Sequence, residues 1–349
     1  TLLCFAYFAF FFIYPISRIF IGSIYDFDTG VFSLAAFQKF FSKSYYTNTI
    51  INSAKVTTTV TLLTVIFGSA LAYITRTVKI RFKGALDIAM IISVLSPPFI
   101  GAYAWIVLLG RAGVVTKVFN QFFHVTLPGI YGFSGILLVF TIKMIPLVYL
   151  YVTGALKNMD NSLNEAAESL GCVGIRKIFQ IVIPLILPTM LASGLLVFMR
   201  VLADFGTPML IGEGYRTLPV LIYNSFVGEM GRDKAFAAAI SVIIVIFTTI
   251  IFLLQQYISN RKTIEMSALR PIEPRPARGI KNVLSHLFAY LCAFLAVLPI
   301  FVVLVNSFQN TNGMLFVEGY SFNSYRKAFS SMGNAIRNTY VFSTAAIIL

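Results

Sequence analysis

The sequence predicts an all-α integral membrane protein. Three observations carry that expectation. Apolar residues make up 58% of the 349, and charged residues only 11%, a balance that no soluble domain shows. The apolar residues fall in long unbroken runs, each long enough as a helix to cross a hydrocarbon core of roughly 30 Å. The basic residues gather in short loops between those runs. A β-barrel would show short segments of alternating polarity instead. The net charge of +14 fits basic loops held on the cytoplasmic side, so the bilayer is the expected partner and nucleic acid is not.

Taken in order, the first span is expected at 2–21, followed by a polar loop with Asp26, Asp28, Lys39 and Lys43. The second covers 49–74 and ends in a loop with Arg76, Lys79, Arg81 and Lys83. The third covers 86–109 and contains Pro97-Pro98, which should kink or break it. A looser loop with Gly113, His124 and Pro128 leads to the fourth span, 133–156, which carries Lys143 and Pro146. The fifth covers 189–205. A loop with Glu213, Arg216, Glu229, Arg232 and Asp233 precedes the sixth, 235–257. A basic linker at 259–282 contains Pro271, Pro274 and Pro276 and should be extended. The seventh span covers 283–305. A polar loop to Arg337 then leads into an eighth run that stops at Leu349. Both ends lie inside apolar runs, so the chain reads as a fragment of a longer protein. If spans alternate, the loops after the second, fourth and sixth share one side, and their Lys/Arg content makes that side cytoplasmic.

One segment breaks the apolar pattern. Residues 162–188 read as two short amphipathic helices joined at a glycine. Ser162 with Glu165 three residues later forms a capping-box pattern. Leu163, Ala166, Ala167 and Leu170 form one apolar stripe, and Ile175, Ile178, Phe179 and Val182 a second. Gly171 stands where a C′ glycine would end the first helix. Pro184 and Pro188 are expected to close the segment before the fifth span begins.

Glu165-Ala166-Ala167, Gly171, Ile181 and Ile183-Pro184, in their spacing, resemble the EAA loop of binding-protein-dependent ABC importer permeases. Ile183 stands where that pattern usually has Leu. The resemblance implies that this loop docks on a cytoplasmic ATPase subunit, with Glu165, Ala166, Ala167, Gly171, Ile181 and Pro184 as coupling residues. It also implies an extracytoplasmic solute-binding protein and a place in the bacterial inner membrane. Ala203-Asp204-Phe205-Gly206-Thr207-Pro208 and Ser96-Pro97-Pro98-Phe99-Ile100-Gly101 are similar to the ferric-iron branch, in which two permease modules share one chain. That makes ferric iron the first substrate expected, with thiamine, phosphonate, polyamine or sulfate as alternatives. The resemblance covers essentially the whole chain.

An internal repeat agrees with two modules. Residues 32–42 (FSLAAFQKFFS) resemble 320–330 (YSFNSYRKAFS), and each leads into a span at Asn52-Ser53 or Asn338-Thr339. Six spans separate the copies, so the repeats are parallel. The expected division is a first six-span permease module at 1–258, a cytoplasmic linker at 259–282 and the start of a second module at 283–349. About five more spans and a second Glu-Ala-Ala loop should follow Leu349 in the native gene.

No G-x-x-x-x-G-K-[ST] occurs, so ATP hydrolysis is expected on a separate subunit and this chain is not expected to be an enzyme. No catalytic constellation, metal cluster or cofactor site is expected. Cys4, Cys172 and Cys292 are too scattered for a disulfide framework. An ion-coupled secondary transporter is the alternative of another class. It would need intramembrane acids, of which Asp204 is the one strong candidate, and it leaves 162–188 unexplained. For the substrate path, Arg200 and Asp204 stand one helical turn apart and are expected to share a face in the outer half of the membrane. Lys143 is a further candidate. Asp204 would offer a hard oxygen ligand to a passing ferric ion.

Overall fold

A computed structural model describes residues 2–26, 30–125, 129–228, 233–260, 272–312 and 315–348. Of the positions singled out above, Asp28, Pro128, Glu229, Arg232 and linker residues 261–271 lie outside these. Among the described residues the fold is helical apart from two short hairpins, and seven helices are long and apolar enough to cross a membrane.

The first span is one helix at 2–24, made of α1 (Leu2–Phe8), a π turn at Ala9–Ile13 and α2 (Tyr14–Ile24). The second, α4 (Ser44–Thr77), extends beyond its expected limits at both ends. It packs along α8 (Phe133–Lys157), which fills the centre of the bundle. Val60, Leu71, Phe140, Val148 and Tyr149 are fully buried there; because lipid tails are as apolar as these side chains, close packing between the helices rather than removal from water is what they contribute. α8 keeps Pro146 inside it.

The third span breaks as its prolines require. α5 (Lys83–Val94) ends before them and α6 (Pro98–Leu109) starts on the second. A residue before proline is pushed out of the α region, and Pro97 sits extended at ψ 149°. Each half is about 18 Å long, too short to cross the core alone; the run counted among the seven here is Phe99–Phe123, the second half with the helix that follows it. The loop expected next is instead α7 (Val114–Phe123), ended by His124 in the left-handed region.

The fifth span differs most from expectation. Pro184 and Pro188 do not close the amphipathic segment, because α10 (Gly174–Lys177), a π turn at Ile178–Val182 and α11 (Ile183–Ala203) form one continuous run, Gly174–Ala203. The physical reason is the π turn. The Ile183 N–H bonds the Ile178 carbonyl five residues back, and the widened turn gives the Pro184 ring clearance from the preceding turn. The first span uses the same device: the Tyr14 N–H bonds the Ala9 carbonyl and Pro15 follows.

The fifth helix stops at Ala203. Two short helices that the sequence left as loop follow, α12 (Gly206–Ile211) and α13 (Leu218–Val227). α14 (Lys234–Asn260) and α15 (Gly279–Ser307) are the sixth and seventh spans. α15 packs across α5 and α6 and touches α8, with Ser93 donating to the Ala296 carbonyl at 2.8 Å. The two hairpins are β1 (Tyr25–Asp26) with β2 (Val31–Phe32) and β3 (Gln309–Asn312) with β4 (Leu315–Tyr320), both antiparallel. Each links a span to the repeated segment, which is helical in both copies: α3 (Ala35–Ser42) and the start of α16 (Asn323–Ile348). The stretch up to Arg337, expected as loop, is therefore helix from Asn323 onward.

The two ends of the bundle are chemically distinct. At one, the linker straps onto the second span: the Lys79 N–H bonds the Arg275 carbonyl at 3.0 Å, and the Arg275 N–H bonds the Thr77 carbonyl at 2.9 Å. A cleft there is shared by Glu168, Lys177 and Arg275. At the other end Lys39 pairs with Asp233 at 2.7 Å, Arg111 with Glu213 at 2.5 Å, and Asn52 donates to the Arg216 carbonyl. The loops after spans two, four and six thus meet at one end and those after one, three and five at the other. Cysteines introduced for Lys83, Lys157 and Arg275 are expected to react with an impermeant thiol reagent from the cytoplasmic side only. Those introduced for Lys43, Arg216 and Arg326 should react from the other side. Labelling of Lys43→Cys and Arg275→Cys from one side would overturn the span count between them.

Candidate functional site

The segment after the fourth span forms the bent helical pair that its sequence predicts, with a different start. Asp160, not Ser162, is the N-cap of α9 (Asn161–Ser169): its carboxylate accepts from the Ser162 N–H at 2.9 Å. Asp and Ser cap about equally well, and Asp160 already holds the extended conformation a cap requires. Glu165 is left to accept from the Asn161 side-chain amide at 2.8 Å, so the expected capping box does not form.

The end of α9 is as expected. Gly171 takes φ +78° as C′. Its N–H bonds the Glu168 carbonyl at 3.0 Å, and the Cys172 N–H bonds the Ala167 carbonyl at 2.8 Å. This is the Schellman pattern of 5→2 and 6→1 bonds. Lys177 then reaches across the bend to Glu168 at 2.6 Å. That hydrogen bond, with the charge behind it, holds the Glu168 carboxyl below its usual range.

The predicted stripes do not bury themselves. Of the first, Ala167 packs inward together with Asn164, while Leu163, Ala166 and Leu170 face out. Of the second, Val182 is buried, whereas Ile175 and Phe179 are exposed. Leu170 at 88% and Ile175 at 73% exposure stand with Val173 and Phe179 on the tip of the bend. Ile181 is half-buried at the root and Pro184 exposed. Sequence periodicity found these residues as the apolar stripes of two amphipathic helices, without saying which of them the rest of the chain covers. It also missed the Glu168–Lys177 pair, whose nine-residue spacing crosses a bend no helical rule describes.

The second cluster lies within the bundle. A cavity of about 410 Å³ is lined by Ser93, Ser96, Phe99, Lys143, Arg200 and Asp204, among others. Both helix breaks open onto it: the gap between α5 and α6, and the gap between α11 and α12. Broken helices whose freed backbone lines a cavity are a recurrent feature of transporter sites. Gly206 lets the wall close, because a Cβ there would lie 2.7 Å from the Phe99 ring.

The expected Arg200–Asp204 face does not exist. Asp204 is already off the helix, extended at ψ 115° as the C-cap of α11. Its Oδ2 pairs with Lys143 Nζ at 2.9 Å, and its Oδ1 accepts from the Thr207 N–H at 3.0 Å, anchoring the start of α12. Both side chains of the pair are largely buried, at 19% and 7% exposure. Arg200 is exposed at the cavity and forms no salt bridge among the described residues. The sequence carried one signal for the true pairing: charges buried within spans seek opposite charges, and Lys143 stands in an apolar run that holds no carboxylate of its own.

Residues 64–264 match the family described as binding-protein-dependent transport system inner membrane component. A putative ferric transport system permease protein of Haemophilus influenzae, FbpB 1, is 31% identical over 270 residues, covering 76% of this chain. The chain spans 42% of that relative's length. A putative 2-aminoethylphosphonate transport system permease protein of Salmonella typhi, PhnU, is 27% identical over 66% of this chain and 81% of its own. Among solved structures, a bacterial alginate ABC transporter in complex with an alginate pentasaccharide-bound periplasmic protein has a chain that superposes with a TM-score of 0.61. It is 17% identical and covers 76% of this chain and 94% of that one, a likeness of fold. The family match extends over more than half the chain, through the bent helix pair and both helix breaks at the cavity, and on it the protein belongs to the inner-membrane components of binding-protein-dependent transport systems.

Proposed function

We propose that this chain is the permease subunit of an ABC importer, carrying ferric iron across the inner membrane. ATP is hydrolysed on separate ATPase subunits docked at the cytoplasmic end, and an extracytoplasmic binding protein delivers the cargo at the other. The chain itself is not an enzyme and needs no cofactor. The observation that carries this reading is the group of exposed apolar side chains, Leu170, Val173, Ile175 and Phe179, around the bend at the basic end of the bundle. Such a surface in water is costly unless a partner covers it. It is pinned by the Gly171 bend and the Glu168–Lys177 pair, which suits docking of a partner. Glu165, Ala166 and Ala167 orient the first helix of the tip. Gly171 sets its angle, and Ile181 and Pro184 join it to the fifth span, so a push on the tip travels along one continuous helix to the cavity.

The similarity to the ferric permease supports ferric iron as cargo. The division into a six-span module at 1–258, a linker at 259–282 and the start of a second module at 283–349 is supported by the repeated order of span, hairpin and amphipathic helix. Two measurements test the reading. Leu170→Asp with Phe179→Asp is expected to abolish co-purification of the ATPase while leaving membrane insertion intact. Retention of the ATPase by that variant would overturn the docking role. Uptake of radiolabelled ferric iron, thiamine and phosphonate in a deletion strain identifies the cargo, with iron expected.

A further inference from the structure

Asp204 looks in sequence like the ligand a ferric ion would meet. In the structure it is spent. One carboxylate oxygen is held by Lys143 and the other by the Thr207 N–H. It is also the single carboxylate among the described residues lining the cavity. A bare hard cation entering there would meet, among the described residues, no carboxylate that is not already paired with a cation. It would meet Arg200 instead, whose charge no carboxylate among the described residues neutralises. Lys143, Asp204 and Arg200 together leave the cavity with one net positive charge.

Two further features point the same way. α6 begins at the cavity, at Pro98, without a side-chain cap. Its first N–H groups and the positive end of its dipole are therefore left for a ligand. Beside them, Ser96 Oγ is buried with no hydrogen-bond partner among the described residues. An orphan hydroxyl of this kind is costly unless something fills the site. A guanidinium, a hydroxyl and an open helix N-terminus around about 410 Å³ form the donor set of an oxyanion site.

We infer that the cavity binds the cargo through an oxyanion group, with Arg200 as the residue that holds it and Ser96 and the start of α6 as further donors. Lys143 and Asp204 act as a locked pair that shapes the wall. The inference rests on the importer reading and narrows its cargo. Iron passing this cavity would do so with an oxygen-bearing anion covering its charge, and a free oxyanion such as a phosphonate would be held by the same donors.

Two experiments test this. The first uses the full importer, with its ATPase and binding protein, in proteoliposomes. Uptake is measured for radiolabelled ferric iron supplied with labelled phosphate, and for phosphate, 2-aminoethylphosphonate and molybdate without iron. One oxyanion is expected to enter, either alone or in constant ratio with iron. Arg200→Gln should lower that uptake at least about tenfold, the loss expected of a charge-assisted hydrogen bond, while Arg200→Lys retains most of it. Iron entering with no anion, or wild-type uptake by Arg200→Gln, would overturn the inference. The second experiment does not depend on transport. Inorganic phosphate titrated calorimetrically into the purified, detergent-solubilised full chain should bind to wild type and not to Arg200→Gln. Absence of binding to wild type overturns the oxyanion site even if the importer carries iron. Failure of the binding protein to stimulate ATP hydrolysis, with phosphate binding intact, counts against the importer reading alone.

Discussion

Asp204→Asn is expected to destabilise the protein by about 3–5 kcal/mol, the usual cost of breaking a buried ion pair from one side. Lys143 would remain, largely enclosed at 19% exposure, with its partner's charge gone. The Asn side chain can still accept from the Thr207 N–H, so the loss isolates the charge rather than the turn that starts α12. Lys143→Gln with Asp204→Asn should recover most of that stability, because two neutral amides can hydrogen-bond where the ions did. Arg200→Gln, which removes an exposed cation with no salt bridge among the described residues, should change stability by no more than about 0.5 kcal/mol. Unfolding of the three variants in mixed micelles checks this. Equal stability of wild type and Asp204→Asn would sink the assignment of the pair, and recovery through Arg200→Gln in place of Lys143→Gln would restore the partner expected from sequence.

Gly171→Leu is expected to abolish transport while the spans still insert. The space around Gly171 is open, with nothing within 4 Å of an added Cβ, so crowding plays no part. The cost lies in the backbone. A residue with a side chain pays roughly 1–2 kcal/mol at a left-handed position, and relaxing that strain means releasing the two carbonyls bonded by Gly171 and Cys172. α9 meets the rest of the protein mainly through Asn164 and Ala167, so it has little to hold its angle once the turn opens. The tip would then present Leu170 and Ile175 in the wrong relation to the ATPase. Gly171→Asn should retain more activity, since Asn tolerates this conformation. Co-purification of the ATPase and uptake in a deletion strain measure the effect. Wild-type uptake by Gly171→Leu would count against the docking role of the bend.

The fold class and most span positions were legible because apolar run length is a one-dimensional property. The fourth span was placed within one residue at its C-terminal end, 156 against Lys157. The break at Pro97-Pro98 and the left-handed turn at Gly171 were legible for the same reason, since each follows from the covalent geometry of the residue itself. The continuity of the fifth helix through Pro184 was not. The rule that proline ends a helix assumes a regular turn before it, and the π turn at Ile178–Val182 removes that premise.

By itself the sequence determined the membrane setting, the family resemblance and the Gly171 bend. All of these depend on residue type and local spacing. Tertiary structure alone decided which charges meet. Helical periodicity can say that Arg200 and Asp204 are one turn apart, but not that the helix ends at Ala203. Nor can it say that Lys143, 61 residues earlier, projects from α8 at the same depth. Buried charges pair with whatever opposite charge the packing brings within about 4 Å, and packing is a property of the whole bundle. That single choice of partner ties the expected cation ligand Asp204 to Lys143 and leaves Arg200 without a salt bridge among the described residues.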